Sequence, residues 1–466
     1  MNAPLDPRTQ RLLHAPIVPT LLRMAAPNVL VMVAQAAVGL IETWFVGKLG
    51  TDALAGMALV FPIVMLMQMT SAGAMGGGIA SAVARALGAG RREDAQALVW
   101  QAVAIALGFG IAFTLALWLG GRALYTAMGG SGAALEAALT YSHWVFAGAV
   151  LVWMFNSLAA VIRGTGNMAV PANVTVAGVV LLVPLSPLLI FGWGPVPGMG
   201  IAGGAMALLV YYLAGTVALA LYLRSSRSLL RPVWAQARLR WPLLRDILRV
   251  GLFGAISTVA TNACIALATA FAGRYGAGAI AGYGTASRLE YLLVPLVFGL
   301  GAPLVAMVGT CIGAGQRERA LRAAWTGAVV AFVLTGSIGL AAALFPRQWL
   351  LLFGNDPAML EAGTQYLRAV GPLYGFFGLG LVLYFASQGA GRLMWPVFGT
   401  LIRLAVAGIG GWLALRWGGQ LVHVFVAQGL ALVAYGLFIA SVISGGAWFG
   451  RPGWPRSTGA LLRRLA

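Results

Sequence analysis

Residues 84–95 read ARALGAGRREDA, and 225 positions downstream the centre of that stretch returns, Gly88-Ala89-Gly90 as Gly313-Ala314-Gly315. The same offset of 225 carries Leu135-Glu136 to Leu360-Glu361, Tyr141 to Tyr366, the Gly164/Gly166 pair to Gly389/Gly391, and Pro171 to Pro396. Further upstream, Arg23, Gly47, Gly50 and Ala55-Gly56 match Arg249, Gly273, Gly276 and Ala281-Gly282 at an offset of 226, so one residue was gained or lost between the two blocks. Gly- and Ala-rich helices resemble one another by chance, but separate landmarks held at one spacing do not arise that way. The chain is a tandem repeat.

What lies between the landmarks is apolar. Of 466 residues, 60% are hydrophobic and only 9% charged, against roughly a quarter charged in a soluble domain. Blocks long enough to cross ~30 Å of hydrocarbon read as spans over 23–46, 53–84, 93–120, 133–160, 168–192 and 200–223 in the first repeat. In the second they read 248–272, 279–312, 320–344, 359–387, 394–415 and 421–444. The expected fold is therefore an all-α polytopic membrane protein, twelve transmembrane helices in two pseudo-twofold-related six-helix lobes. Six is even, so both halves enter the membrane with the same orientation and face each other across a cleft, a recurring plan for alternating access. The expected organisation is a segment 1–22, an N-lobe 23–223, a basic linker 224–247, a C-lobe 248–445 and a tail 446–466.

The formal charge of +19 invites a nucleic-acid reading, but its distribution excludes one. The two termini and the even-numbered loops collect 22 of the 30 cations, the opposite face holds Lys48, Arg122, Arg274, Arg347 and Arg416, and Arg288, Arg368 and Arg403 fall within spans. This positive-inside bias places both termini in the cytoplasm, whereas a nucleic-acid site gathers its charge on one folded face. Residues 1–22 lack a cleavable signal, and Arg11 to Met24 are expected to lie along the inner surface as a short interfacial helix. Cys264 and Cys311 sit in apolar spans and form neither a disulfide framework nor a metal pair.

Several stretches resemble the multidrug and toxic compound extrusion (MATE) transporters, prokaryotic branch. In the first half these are AAPNVLVMVAQAAVGLIETWFVGKLGTDALAG, ARALGAGRREDA and RGTGNMAVP. In the second they are YGTASRLEYLLVPLVFGLGAPLVAMVGTCIGAG and SQGAGRLMWPVFGTLIR. The likeness runs from about residue 20 to residue 445. It implies two six-helix lobes, no cofactor, and ion-driven export of amphipathic cations from the cell inner membrane by a monomer. It also implies an aspartate late in span one and another in span five. Here those positions are Glu42 and Ser186, and further ion ligands of the family align with Leu182 and Leu208. The carboxylate pair that other branches carry in spans seven and ten is missing, with Asn262 and the outer Glu361 in those spans.

Only Glu42 and Glu290, of 11 acidic residues, lie well inside spans. A carboxylate there costs several kcal/mol and is functional by default. Asn28, Gln35 and Glu42 recur every seven residues, two helical turns, and form a polar stripe on span one. Their repeat partners Gly254, Thr261 and Ala268 carry no charge, so an architectural need is a weak explanation for Glu42. Sodium wants several oxygen ligands and a proton needs one titratable group; with Ser186 in place of aspartate, proton coupling at Glu42 is the expectation, with Gln35, Asn156 and Ser186 as its polar surroundings. Sodium coupling is the alternative. Glu290 is open between an ion-paired structural role and recognition of substrate charge.

Candidate substrate contacts are Glu290, Asn28 and Gln68, with Met69 and Met154 as polarizable packing surfaces; for any one methionine, plain packing is the commoner role. Pro27 is a candidate hinge, since it cannot donate back to the Arg23 carbonyl. The GxGxxG at Gly198–Gly203 opens a membrane helix and is no nucleotide loop. Walker, HExxH and GxSxG motifs are absent, and His14, His143 and His423 show no metal-ligand spacing. These absences argue against an enzyme. A lipid-linked saccharide or phospholipid flippase shares the two-lobe plan, but that chemistry favours a strongly cationic cavity, which the few arginines within spans do not supply.

Overall fold

In the computed structural model, residues 6–194 and 196–450 are described, apart from the side chains of residues 35–38, 40, 196, 235 and 291. A span in hydrocarbon has to satisfy its own backbone, so each apolar block becomes a helix. The first half holds α1 (Pro7–His14), α2 (Ile17–Gly47), α3 (Thr51–Gln68), α4 (Gly76–Gly88), α5 (Arg92–Ala127), α6 (Gly132–Ala147), α7 (Ala149–Gly164), α8 (Ala169–Phe191) and α9 (Ile201–Arg224). The second holds α10 (Trp241–Gly273), α11 (Ala277–Gly313), α12 (Arg317–Leu344), α13 (Pro346–Leu350), α14 (Pro357–Val370), α15 (Tyr374–Gly389), α16 (Met394–Arg416) and α17 (Leu421–Ser444). Between α8 and α9, β1 (Gly192–Trp193) pairs antiparallel with β2 (Val196–Pro197).

Among the described residues, eleven helices or continuous helical runs are long and apolar enough to cross a membrane, and α6 with α7, bent by 46°, makes the twelfth. The protein is a twelve-span membrane protein. Three spans are irregular where the sequence alone reads as smooth. A π-helical turn, Met69–Met75, joins α3 to α4 in span two, the α6–α7 bend falls at Gly148 in span four, and a 3-10 turn, Gly371–Leu373, joins α14 to α15 in span ten. The chain separates into two compact units, one of Ala26–Gly251 with the stretch up to Gln10, the other of Leu252 onward with Arg11–Ala25.

The repeat is structural as well as textual. Gly50 and Gly276 take φ of 114° and 102°, Gly90 and Gly315 both take 72°, and Gly166 and Gly391 take 81° and 70°. These are left-handed backbones that a Cβ disfavours, at matched exits from matched helices. Close approaches match too. A Cβ at Gly56 would stand 2.7 Å from the Cβ of Ala137, and one at Gly282 would stand 2.6 Å from that of Ala362. A Cβ at Gly164 would stand 2.7 Å from the carbonyl oxygen of Ala80, and one at Gly389 would stand 2.7 Å from that of Val305. Each partner also sits 225 residues from its counterpart, so the same helices touch at the same points in both units. Small residues at these points let backbones pack closely, the usual source of helix association in lipid.

One expectation fails near the N-terminus. Residues 11–24 are not one interfacial helix: α1 ends at His14 and α2 begins at Ile17. Pro16 disfavours helical geometry at Ala15 and breaks the run. Leu12 and Leu13 are buried, and Arg319 donates to the carbonyls of Leu12 (3.0 Å) and Ala15, so this piece is held by protein contacts. Downstream, α2 runs through Pro27 without interruption.

Candidate functional site

The first unit has a polar interior to which four spans contribute. Helix α2 contributes Asn28 and Glu42, buried at 5% and 7% exposure. The end of α3 contributes Gln68 and the π turn Ser71, α7 contributes Asn156, and α9 contributes Tyr212. Four of these side chains, Gln68, Ser71, Asn156 and Tyr212, form a chain of hydrogen bonds. The Asn156 amide donates to Ser71 Oγ (2.8 Å) and to Gln68 Oε1 (3.1 Å), and the Gln68 amide donates to the Tyr212 hydroxyl. The wide turn at Met69–Met75 shifts the register of span two between Gln68 and α4, and it brings both Gln68 and Ser71 to the same asparagine. Tyr212 packs edge-on against Phe155 and Tyr211, with ring centroids 5.6 and 4.8 Å away.

Glu42 stands within electrostatic reach of Tyr141 and Tyr212. Among the described residues its Oε1 accepts no hydrogen bond, Glu42 forms no ion pair, and Asn28 Nδ2 and Ser186 Oγ are likewise buried without a hydrogen-bond partner. Buried polar atoms are normally paired. A carboxylate with open capacity beside hydroxyls and amides has the chemistry to take a proton or one organic cation. No group of three or more His, Cys, Asp or Glu suited to a metal ion occurs among the described residues.

Not every candidate joins this centre. Asn156 and Gln68 are linked within it, and Ser186 and Asn28 are buried. Met154 is half-buried, and Met69 is 41% exposed while Met57, Met67 and Met75 of span two are buried. The side chain of Gln35 lies outside the described residues.

The second unit is organised differently. Glu290 on α11 accepts a hydrogen bond from Arg403 on α16 at 2.6 Å, with the two side chains 17% and 7% exposed. The Arg403 guanidinium lies over the ring of Phe377 at 5.5 Å. Tyr366, within electrostatic reach of Glu290, meets Tyr283 and Phe425 with centroids 5.3 and 5.2 Å away. Of the two readings open for Glu290, the ion-paired one has its partner here. Sequence reasoning missed Arg403 as that partner and Tyr212 as the end of the amide chain. For Arg403 a signal existed, since two buried charges of opposite sign in spans favour each other; for Tyr212, indistinct among the apolar residues of span six, there was none.

Two six-span units, each with a polar interior, define a multi-pass membrane transporter. The chain belongs to the MatE family, whose sequence model matches residues 27–188 and 255–412. It is 30% identical over 383 residues to a Shewanella oneidensis protein named FAD transporter, covering 81% of this chain and 82% of that one. It is 24% identical over 389 residues to the probable multidrug resistance protein NorM of Thermotoga maritima, covering 83% of each. Among solved structures, one described as MATE in the bent conformation superposes with a TM-score of 0.86 at 22% identity, over 99% of both chains.

Proposed function

We propose that this transporter exports small amphipathic, cationic drugs or metabolites from the cytoplasm in exchange for protons, by alternating access. The observation that carries the reading is Glu42, an enclosed carboxylate of the first unit with no ion-pair partner among the described residues. A proton and a cationic substrate compete for that one charge, which gives antiport without a dedicated metal site. Gln35, Asn156 and Ser186 hold the polar surroundings of Glu42. Asn28, Gln68, Met69, Met154 and Glu290 contact substrate, the last by accepting a substrate cation when its pairing with Arg403 loosens. Pro27 serves as the hinge of α2, where the helix lacks one backbone bond. The protein acts as a monomer in the cell inner membrane with both termini in the cytoplasm, as the excess of arginine in its even-numbered loops supports.

A second reading has one observation in its favour. The Shewanella oneidensis relative is named for an anionic flavin dinucleotide, and Arg403 supplies a buried cation in the second unit. Sodium coupling is the corresponding alternative for the driving ion. Purified protein in liposomes, loaded either with a panel of lipophilic cations or with FAD, separates the substrate readings under an imposed proton gradient. Efflux of cations with retention of FAD supports the proposal; efflux of FAD alone overturns it.

A further inference from the structure

The segment between α9 and α10 is pinned to the first unit along one side. Arg92, at the start of α5, donates to the Leu229 carbonyl at 3.1 Å, and Trp100 Nε1 donates to the Val233 carbonyl at 3.1 Å. Trp234 packs on the Trp100 ring with centroids 4.8 Å apart. Gln101, fully buried, donates to the Arg238 carbonyl at 2.8 Å and accepts from the Arg240 N–H at 3.3 Å. One amide thus clamps the backbone on both sides of Leu239.

This fixed segment holds its apolar side chains outward. Val233 is 51% exposed, Trp234 71%, Leu239 70%, and Trp241, which opens α10, 65%. A contiguous apolar face kept open by a pinned backbone is the mark of an interaction surface rather than of a slack linker. Its surroundings are cationic. Residues 224–249 hold seven arginines against one acid, Asp246, and that acid is paired with Arg85 at 2.7 Å. Arg238 and Arg245 are exposed and form no ion pair among the described residues.

The level of this face along α5 points to its occupant. Arg92 and Arg122 stand 30 positions apart, about 45 Å of helix, the thickness of a bilayer with its headgroups. Trp100 follows Arg92 by eight residues, so it lies about 12 Å below that outer edge, where headgroups give way to acyl chains. Trp234, packed on Trp100, shares that depth. We propose that residues 231–241 dock on the membrane itself, on anionic phospholipid of the adjacent leaflet, which is the cytoplasmic one in the topology proposed above. Val233, Trp234, Leu239 and Trp241 enter the boundary between headgroups and acyl chains, a place suited to indoles with an apolar face and a polar N–H. Arg238 and Arg245 take lipid phosphates, which a guanidinium can hold through two parallel hydrogen bonds. The docking depends neither on which leaflet is cytoplasmic nor on what is transported.

The test uses the full-length protein in nanodiscs of phosphatidylcholine with phosphatidylglycerol, in a background with Cys264 and Cys311 replaced. A nitroxide is attached at Leu239→Cys or, as the water-facing reference in the same linker, at Ser226→Cys. Oxygen concentrates in the bilayer and a nickel chelate stays in water, so collision with each reports immersion. The proposal expects the oxygen-to-nickel ratio at 239 to exceed that at 226 severalfold, and equal ratios overturn it. Shielding of 239 in native membranes but not in nanodiscs also overturns it, because a protein partner then covers the face. The lipid class is read by native mass spectrometry of protein released from the same nanodiscs. The parent is expected to retain phosphatidylglycerol over phosphatidylcholine, and Arg238→Gln with Arg245→Gln to lose most of that preference. Equal retention of the two lipids by the parent, or an unchanged preference in the variant, contradicts the arginine–phosphate contact. Neither readout measures transport, so failure here and failure of the proposed antiport are separate results.

Discussion

Replacing Arg403 with methionine removes the cation that faces Glu290 and leaves its carboxylate, 17% exposed, without the 2.6 Å partner. Breaking a buried pair from one side costs about 3–5 kcal/mol. The residual exposure of Glu290 places Arg403→Met near the low end, about 3 kcal/mol, or about 150-fold in the unfolding equilibrium. Glu290→Gln keeps an acceptor for the guanidinium and is expected to cost about 1–2 kcal/mol. Removing both charges leaves nothing uncompensated, so the double variant is expected within about 1 kcal/mol of the parent. The cycle therefore predicts a favourable coupling of at least about 3 kcal/mol between α11 and α16, above the few tenths seen for independent sites. Reversible unfolding from mild detergent into SDS micelles measures all four proteins. Additive single losses, with coupling below about 0.5 kcal/mol, would refute the idea that this pair fixes the two helices to each other.

Three further outcomes follow from the same account. Gly56→Ala and Gly282→Ala each place a Cβ less than 3 Å from a facing backbone, at Ala138 N and Met359 O; both are expected to lose about 1–3 kcal/mol, and one neutral variant in the thermal-unfolding pair would break the equivalence of the two packings. Pro27→Ala restores the backbone bond to Arg23 and is expected to slow transport with folding intact, so an unchanged efflux rate dismisses the hinge. Ser226→Cys, in a background lacking Cys264 and Cys311, is expected to resist membrane-impermeant maleimide added outside intact cells, and strong labelling inverts the topology.

Much of the architecture was legible because the repeat is written in glycines whose positions are dictated by backbone geometry. Gly90 and Gly315 exit their helices with the same φ of 72°, and a left-handed exit constrains residue type strongly. The breaks at Met69–Met75 and Gly148 were not legible. In lipid a span is apolar on every face, so a change of register produces no change of pattern to read. The interior partners failed for a related reason. Asn156 reaches Gln68 across 88 residues and Arg403 reaches Glu290 across 113, and which faces meet depends on helix rotation set by packing. Glu42 was findable because a carboxylate in a span is rare enough to stand out by itself.

That carboxylate is the centre of the account, and the most direct test uses the parent, Glu42→Gln and Glu42→Asp proteins in liposomes loaded with a fluorescent lipophilic cation. The driving force is imposed first as a proton gradient without sodium, then as a sodium gradient at equal pH. The account predicts substrate movement in the parent under the proton gradient alone, none in Glu42→Gln, and partial movement in Glu42→Asp. Movement driven by sodium at equal pH, with none from the proton gradient, would contradict it.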